Sequence, residues 1–170
     1  ASRLGVKAVM KQNAWDALVP ALTRKDFDII LNGLEITPPR LEEISFTKPY
    51  YVYSEQMVVR ADENRIGTFF DLRDKTVGTL SASVGMTMLQ DLGGVNIKVY
   101  PGVVEPYRDL ADKRLDAVVL DLPIAIYYAR PNPQLKFVGD PSGEGFYGIG
   151  IRKQDTELLE KLNQIISDMV

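Results

Sequence analysis

The chain has 170 residues, enough for one domain or two small lobes, and its 45% hydrophobic and 25% charged residues are an ordinary globular mix. Its net charge of −3 and lack of any Lys or Arg run argue against nucleic acid or an anionic membrane surface as partner. No apolar run approaches the ~18 residues of a membrane span. Without Cys or His there is no thiol nucleophile, Ser-His triad, imidazole or thiolate metal site, or disulfide. Only carboxylates, Lys, Tyr and Ser remain for chemistry, so the composition leans towards binding, with neither cofactor nor metal expected.

In chain order, Ala1-Ser2-Arg3-Leu4 reads as a helix end capped by Gly5, leading into a strand over 6–10. A start in mid-element leads to the expectation that sequence is missing upstream. Trp15, Leu18, Val19 and Leu22 then recur at the spacing of an amphipathic helix over 15–24. Trp15, the only tryptophan, is either a core anchor or an aromatic wall for a ligand. Phe27-Asp28-Ile29-Ile30-Leu31 reads as a buried strand.

Asn32-Gly33-Leu34-Glu35-Ile36-Thr37-Pro38-Pro39-Arg40 follows, and the rest of the chain is arranged around it. Gly33 permits a conformation closed to other residues and a close approach by a ligand. Thr37-Pro38 is a helix start, a threonine cap followed by a proline that loses no hydrogen bond. Arg40 lies in the first turn, where the helix dipole disfavours a cation, so it is expected to face an anion. The alternative is a solvated arginine on a plain strand-to-helix turn.

Ile44-Ser45-Phe46-Thr47-Lys48-Pro49-Tyr50-Tyr51 brings an extended approach and two tyrosines, ahead of a long strand over 52–61. A turn over 62–68 and a helical turn over 69–75 precede a strand over 76–80. Ser81-Ala82-Ser83-Val84-Gly85 then opens a helix over 86–92. Such a loop offers unpaired N–H groups to an anion, although Ser83 as a simple N-cap explains it equally well. It lacks the phosphate-loop pattern, which argues against a nucleotide.

A strand over 95–100, a helix over 105–113 and a strand over 115–120 follow. Residues 22–31 and 110–119 share one plan: helix end, basic turn, apolar residue, Asp and a β-branched strand. One βαβ arrangement is therefore used twice, with parallel strands expected and the two loop ends, at Asn32-Gly33 and Asp121, facing each other across a cleft. Asp121, at a buried strand tip before the helix over 123–129, is either an N-cap or a ligand for a cation. Residues 131–145 read as a Pro- and Gly-rich loop framing a short strand over 135–138. A glycine-interrupted strand runs over 146–153 and an amphipathic helix over 155–170.

The ordered set of segments resembles the periplasmic amino-acid-binding proteins that feed ABC importers, the bacterial extracellular solute-binding proteins of family 3. Residues 32–40 are similar to the family's G-x-[ST]-[IVL]-T-x-x-R, residues 45–51 to F-S-x-P-Y-Y, and residues 71–80 to D-L-x-G-K-x-V-G-V with Asp74 in place of glycine. Residues 81–85 match S-G-[ST]-[ST]-x, and Asp121 stands in the family's D-A-x-x-x-D setting.

The resemblance implies an α/β fold of the periplasmic binding protein-like type II class, two α/β lobes joined by two hinge strands. Lobe 1 would be residues 1–56 plus 149–170, lacking a first strand-helix unit and a terminal helix, and lobe 2 residues 57–148. It implies a ligand site of Trp15, Asn32, Gly33, Leu34, Glu35, Arg40, Ser81, Ser83 and Asp121. Arg40, the Gly33 loop and the two serines take an amino acid's carboxylate, and Asp121 takes its ammonium. Clamshell closure over the ligand would signal an ABC transporter permease from the periplasm or another extracytoplasmic space, with anchoring through flanking sequence left open. Glu35 departs from the family's Ser or Thr; it turns to solvent, pairs with Arg40, or favours a ligand with a basic side chain or an extra amine. The alternatives are a prephenate- or arogenate-type dehydratase on the same fold, the sensing domain of a membrane receptor, or a fragment that binds nothing well. The sequence leaves the oligomeric state open.

Overall fold

The computed structural model describes residues 1–169. In chain order the elements are α1 (Leu18–Thr23), β1 (Ile29–Ile30), α2 (Pro38–Glu43), β2 (Ser45–Phe46), β3 (Tyr51–Arg60), β4 (Thr76–Leu80), α3 (Val84–Leu92), β5 (Asn96–Tyr100), α4 (Val104–Ala111), β6 (Ala117–Asp121), α5 (Leu122–Tyr128), β7 (Leu135–Tyr147), β8 (Gly150–Ile151) and α6 (Thr156–Ser167). They fall into two compact units, one of Ala1–Val52 with Gly145–Val170 and one of Tyr53–Glu144. Among the described residues no helix is long and apolar enough to cross a membrane.

The first unit holds a three-stranded sheet in the order β1-β8-β2, with β8 antiparallel to both neighbours. The parallel pairing expected here is not formed, because β8 takes the place between β1 and β2. Leu18 and Leu22 of α1 pack with Ile30, Leu34 and Ile44, while Leu162 of α6 packs with Ile149 and Ile151. The two helices thus bury separate apolar stripes. A buried arginine stitches this unit: Arg152 donates to the carbonyls of Leu22 and Phe27 and ion-pairs with Asp155 at 2.6 Å.

The expected strand over 6–10 is not formed. Val6, Val9 and Met10 are exposed, and the segment joins no sheet, so its backbone has no ladder to enter. Gly5 does take the left-handed cap, at φ 65°, behind a single 3-10 turn. The strand expected over 27–31 shrinks to Ile29–Ile30. The last helix ends at Ser167, and the final residue of the expected span, Val170, lies outside the described residues.

The second unit is a five-stranded sheet in the order β5-β4-β6-β3-β7. β4 pairs in parallel with both β5 and β6, as crossovers through α3 and α4 require, and β3 runs antiparallel to β6. Every residue of β6 is buried, and Met57, Val59, Leu72, Val77, Leu89 and Val119 form the core. Where a loop with one short strand was expected over 131–145, β7 is a single strand of 13 residues. It lies at the sheet edge, a position that tolerates a proline such as Pro141, and Gly139 and Gly143 take positive φ.

Candidate functional site

In the first unit the chain leaves β1 through Asn32, which is exposed, and Gly33 at φ +83°. A Cβ there would meet the Tyr147 ring at 3.4 Å, and the Gly33 N–H donates to the Tyr50 hydroxyl at 3.1 Å. That amide was expected to meet a ligand; an internal phenol takes it instead. Burial raises the pKa of the Tyr50 hydroxyl, partly offset by the Gly33 hydrogen bond. Tyr51 stacks on Tyr147 with centroids 5.6 Å apart, so the paired tyrosines build an aromatic wall around the turn. The Leu34 side chain is wholly buried in the core.

Glu35 and Arg40 are both drawn inward. Thr37 adopts the extended backbone that precedes proline, and Pro38 opens α2, although the Thr37 side chain makes no capping bond. One helical turn then carries Arg40 back over the loop. Its Nη1 donates to the Glu35 carboxylate at 2.7 Å and to the Glu35 carbonyl at 3.0 Å. Its guanidinium carbon lies 5.4 Å from the centroid of Trp15. Trp15, Glu35 and Arg40 therefore form one part-buried cluster, with the arginine held by a carboxylate, a carbonyl and an indole face. Glu35 thus pairs with Arg40 and does not turn to solvent.

In the second unit Ser81, Ser83 and Asp121 sit at the carboxyl ends of β4 and β6. The Ser81 N–H donates to the Tyr100 carbonyl. Ser83 is buried and caps α3: its Oγ accepts from the Met86 N–H at 3.1 Å and donates to the Leu80 carbonyl at 3.0 Å. The simpler of the two readings of that loop, an N-cap, is thus realised. Asp121 is buried at the end of β6, and its carboxylate makes no capping bond to α5.

Sequence reasoning missed Glu55. It lies in β3 directly opposite Asp121, and both are buried. The available signal was a carboxylate one position before Gln56-Met57-Val58-Val59, inside a strand otherwise apolar in that half. Tyr107 on α4 is a second omission. Its hydroxyl is buried without a hydrogen-bond partner, and its pKa is pushed far up, first by burial and then by the charges of Asp121 and Glu55.

The family described as bacterial extracellular solute-binding proteins, family 3, matches residues 1–170. The chain is 31% identical to ABC transporter arginine-binding protein 1 of Escherichia coli K12, over 97% of this chain and 70% of that protein. It is 30% identical to the L-cystine-binding protein TcyJ of the same organism, over 99% of this chain and 65% of that one. The chain thus spans about two thirds of the length of these curated relatives. Among solved structures, holo ArgBP from T. maritima matches with a TM-score of 0.95 and 32% identity, covering 99% of this chain and 75% of that one. All three are named for binding and none for a reaction, and the fold they share is that of type II periplasmic binding proteins. The chain belongs to the bacterial extracellular solute-binding proteins of family 3.

Proposed function

We propose that this protein binds a free α-amino acid outside the cytoplasmic membrane and presents it to the permease of an ABC importer. The observation that carries this reading is the part-buried Arg40 guanidinium, held by Glu35 and Trp15, a planar cation of the kind that recognises carboxylates. Arg40 takes the α-carboxylate and Asp121 the α-ammonium. Asn32, Gly33, Leu34, Ser81 and Ser83 contribute backbone shape around the ligand rather than free side-chain donors, since the Gly33 amide and the Ser83 hydroxyl already have partners. The relatives named for arginine and for L-cystine support an amino acid as ligand.

Thermal unfolding against a panel of free amino acids tests this. A ligand at about 100 times its Kd adds roughly 2.7 kcal/mol of stability by mass action, a clear rise in Tm. Arg40→Ala and Asp121→Ala should each abolish the rise. A panel in which no amino acid raises Tm would refute the reading.

A further inference from the structure

We infer that Asn32-Gly33 is a modification site at which Asn32 deamidates to aspartate and isoaspartate, and that the Tyr50 hydroxyl slows the reaction by holding the Gly33 N–H. The inference is independent of what the protein binds.

Asparagine deamidates when the main-chain nitrogen of the next residue attacks its side-chain carbonyl carbon. Here the Gly33 nitrogen gives up its proton and bonds to Asn32 Cγ. The Cγ–Nδ2 bond breaks, ammonia leaves, and a five-membered succinimide remains. Water then opens the ring. Attack at Cγ gives aspartate; attack at the main-chain carbonyl gives isoaspartate, whose main chain runs through the former side chain. Ammonia is exchanged for water, and nothing is oxidised or reduced.

The reaction needs an uncrowded nitrogen, a side chain with room to turn, and access for water. Glycine has no Cβ to hinder the attack. Of the asparagines at 13, 32, 64, 96, 132 and 163, Asn32 alone precedes glycine. Asn32 is also exposed, at a bend outside any helix or strand. Asn96 is the contrast: it lies in β5 and precedes the β-branched Ile97.

One feature opposes the reaction. The Gly33 N–H donates to the Tyr50 hydroxyl at 3.1 Å, a bond that must break before the nitrogen can attack. Tyr50 is itself held in place, its own N–H donating to the Tyr147 carbonyl at 3.0 Å. Burial raises the pKa of the Tyr50 hydroxyl, so at neutral pH it accepts from the amide without taking its proton. The product would matter to the loop. Either form makes the net charge one more negative than −3, and isoaspartate adds a main-chain carbon two residues ahead of the buried Leu34.

Peptide mapping by mass spectrometry, after incubation of the folded protein in mildly alkaline buffer, tests the inference. Asn32 should be converted before any other asparagine. Tyr50→Phe should speed its conversion about fivefold, the effect of losing one ordinary hydrogen bond, and leave Asn96 unchanged. Earlier conversion of another asparagine would overturn the site. Equal Asn32 rates in wild type and a folded Tyr50→Phe protein would overturn the role of Tyr50. Should Tyr50→Phe fail to fold, the wild type alone decides: unfolding in guanidinium chloride should speed conversion roughly tenfold or more, and equal rates in the two states would overturn the guard.

Discussion

Arg40 Nη1 reaches the carboxylate and the backbone carbonyl of one residue, Glu35, so a single nitrogen fixes both the charge and the course of the loop. The Glu35 carboxylate is 1% exposed and the Arg40 side chain 11%. Removing one partner of a buried pair leaves the other uncompensated, typically at 3–5 kcal/mol. Arg40→Ala should therefore lower stability by about 3 kcal/mol, on top of its effect on ligand. Glu35→Gln retains an acceptor oxygen and should lose only about 1–2 kcal/mol. Urea unfolding of the two variants without ligand checks the order; equal losses would show that the charge of Glu35 contributes nothing.

Gly85 is a glycine inside a helix, where alanine would ordinarily gain about 1 kcal/mol. Here its Cβ would lie 3.2 Å from the Val119 carbonyl and 3.2 Å from Thr79 Oγ1, besides the Glu55 carboxylate. Two of those neighbours stand on the central strands and cannot retreat, and overpacking of that kind costs about 1–3 kcal/mol. Gly85→Ala should be destabilising by about 1 kcal/mol in urea, and any gain would show that α3 slides freely on the sheet.

Asp74 has a left-handed backbone, at φ 61°. Its N–H donates to the Gly94 carbonyl at 2.7 Å, which holds the turn in that conformation. The left-handed region costs an L-residue roughly 1–2 kcal/mol, less for aspartate, and glycine gives back part of the gain through the freer unfolded chain. Asp74→Gly should stabilise the protein by about 0.5 kcal/mol, seen as a higher urea midpoint with unchanged slope. A lower midpoint would mean that the carboxylate itself supports the turn.

Asp109 accepts from Lys98 Nζ at 2.7 Å, Tyr100 Oη at 2.6 Å and Arg114 Nη1 at 2.8 Å. Those bonds, led by Lys98, hold its pKa well below the usual carboxylate range. A depressed folded-state pKa adds stability that is complete above the unfolded value, near 4, and is lost as pH falls through the folded one. Asp109→Asn should cost about 1–2 kcal/mol at neutral pH. The gap between wild type and variant should shrink as the solution is taken below about pH 4. A gap constant from pH 7 to pH 3 would show that the ion pairs contribute nothing.

Much of the second unit was legible because its signals are local. The run Thr76–Leu80 ends at a hydroxyl-bearing loop, and the strand is found at those residues. The Ser83 cap fixes the start of α3. What failed depended on neighbours distant in sequence. Residues 6–10 have strand-like composition but no adjoining strand, and β7 was hidden by Gly and Pro that an edge position tolerates. At the site, Glu35 and Arg40 were readable because only four residues, two of them prolines, separate them. Glu55 was not, since a carboxylate within a strand ordinarily faces water, and only the register with β6 reveals Asp121 beside it.

The central position of β8 bears on how the chain comes together. Among the described residues β1 and β2 pair with residues 150 and 151, so when residues 1–52 leave the ribosome their sheet has no middle. Residues 53–144 form an uninterrupted stretch and can consolidate meanwhile, while residues 1–52 wait for residues 150 and 151. Residues 1–52 are thus made before residues 53–144 yet complete their sheet only after them.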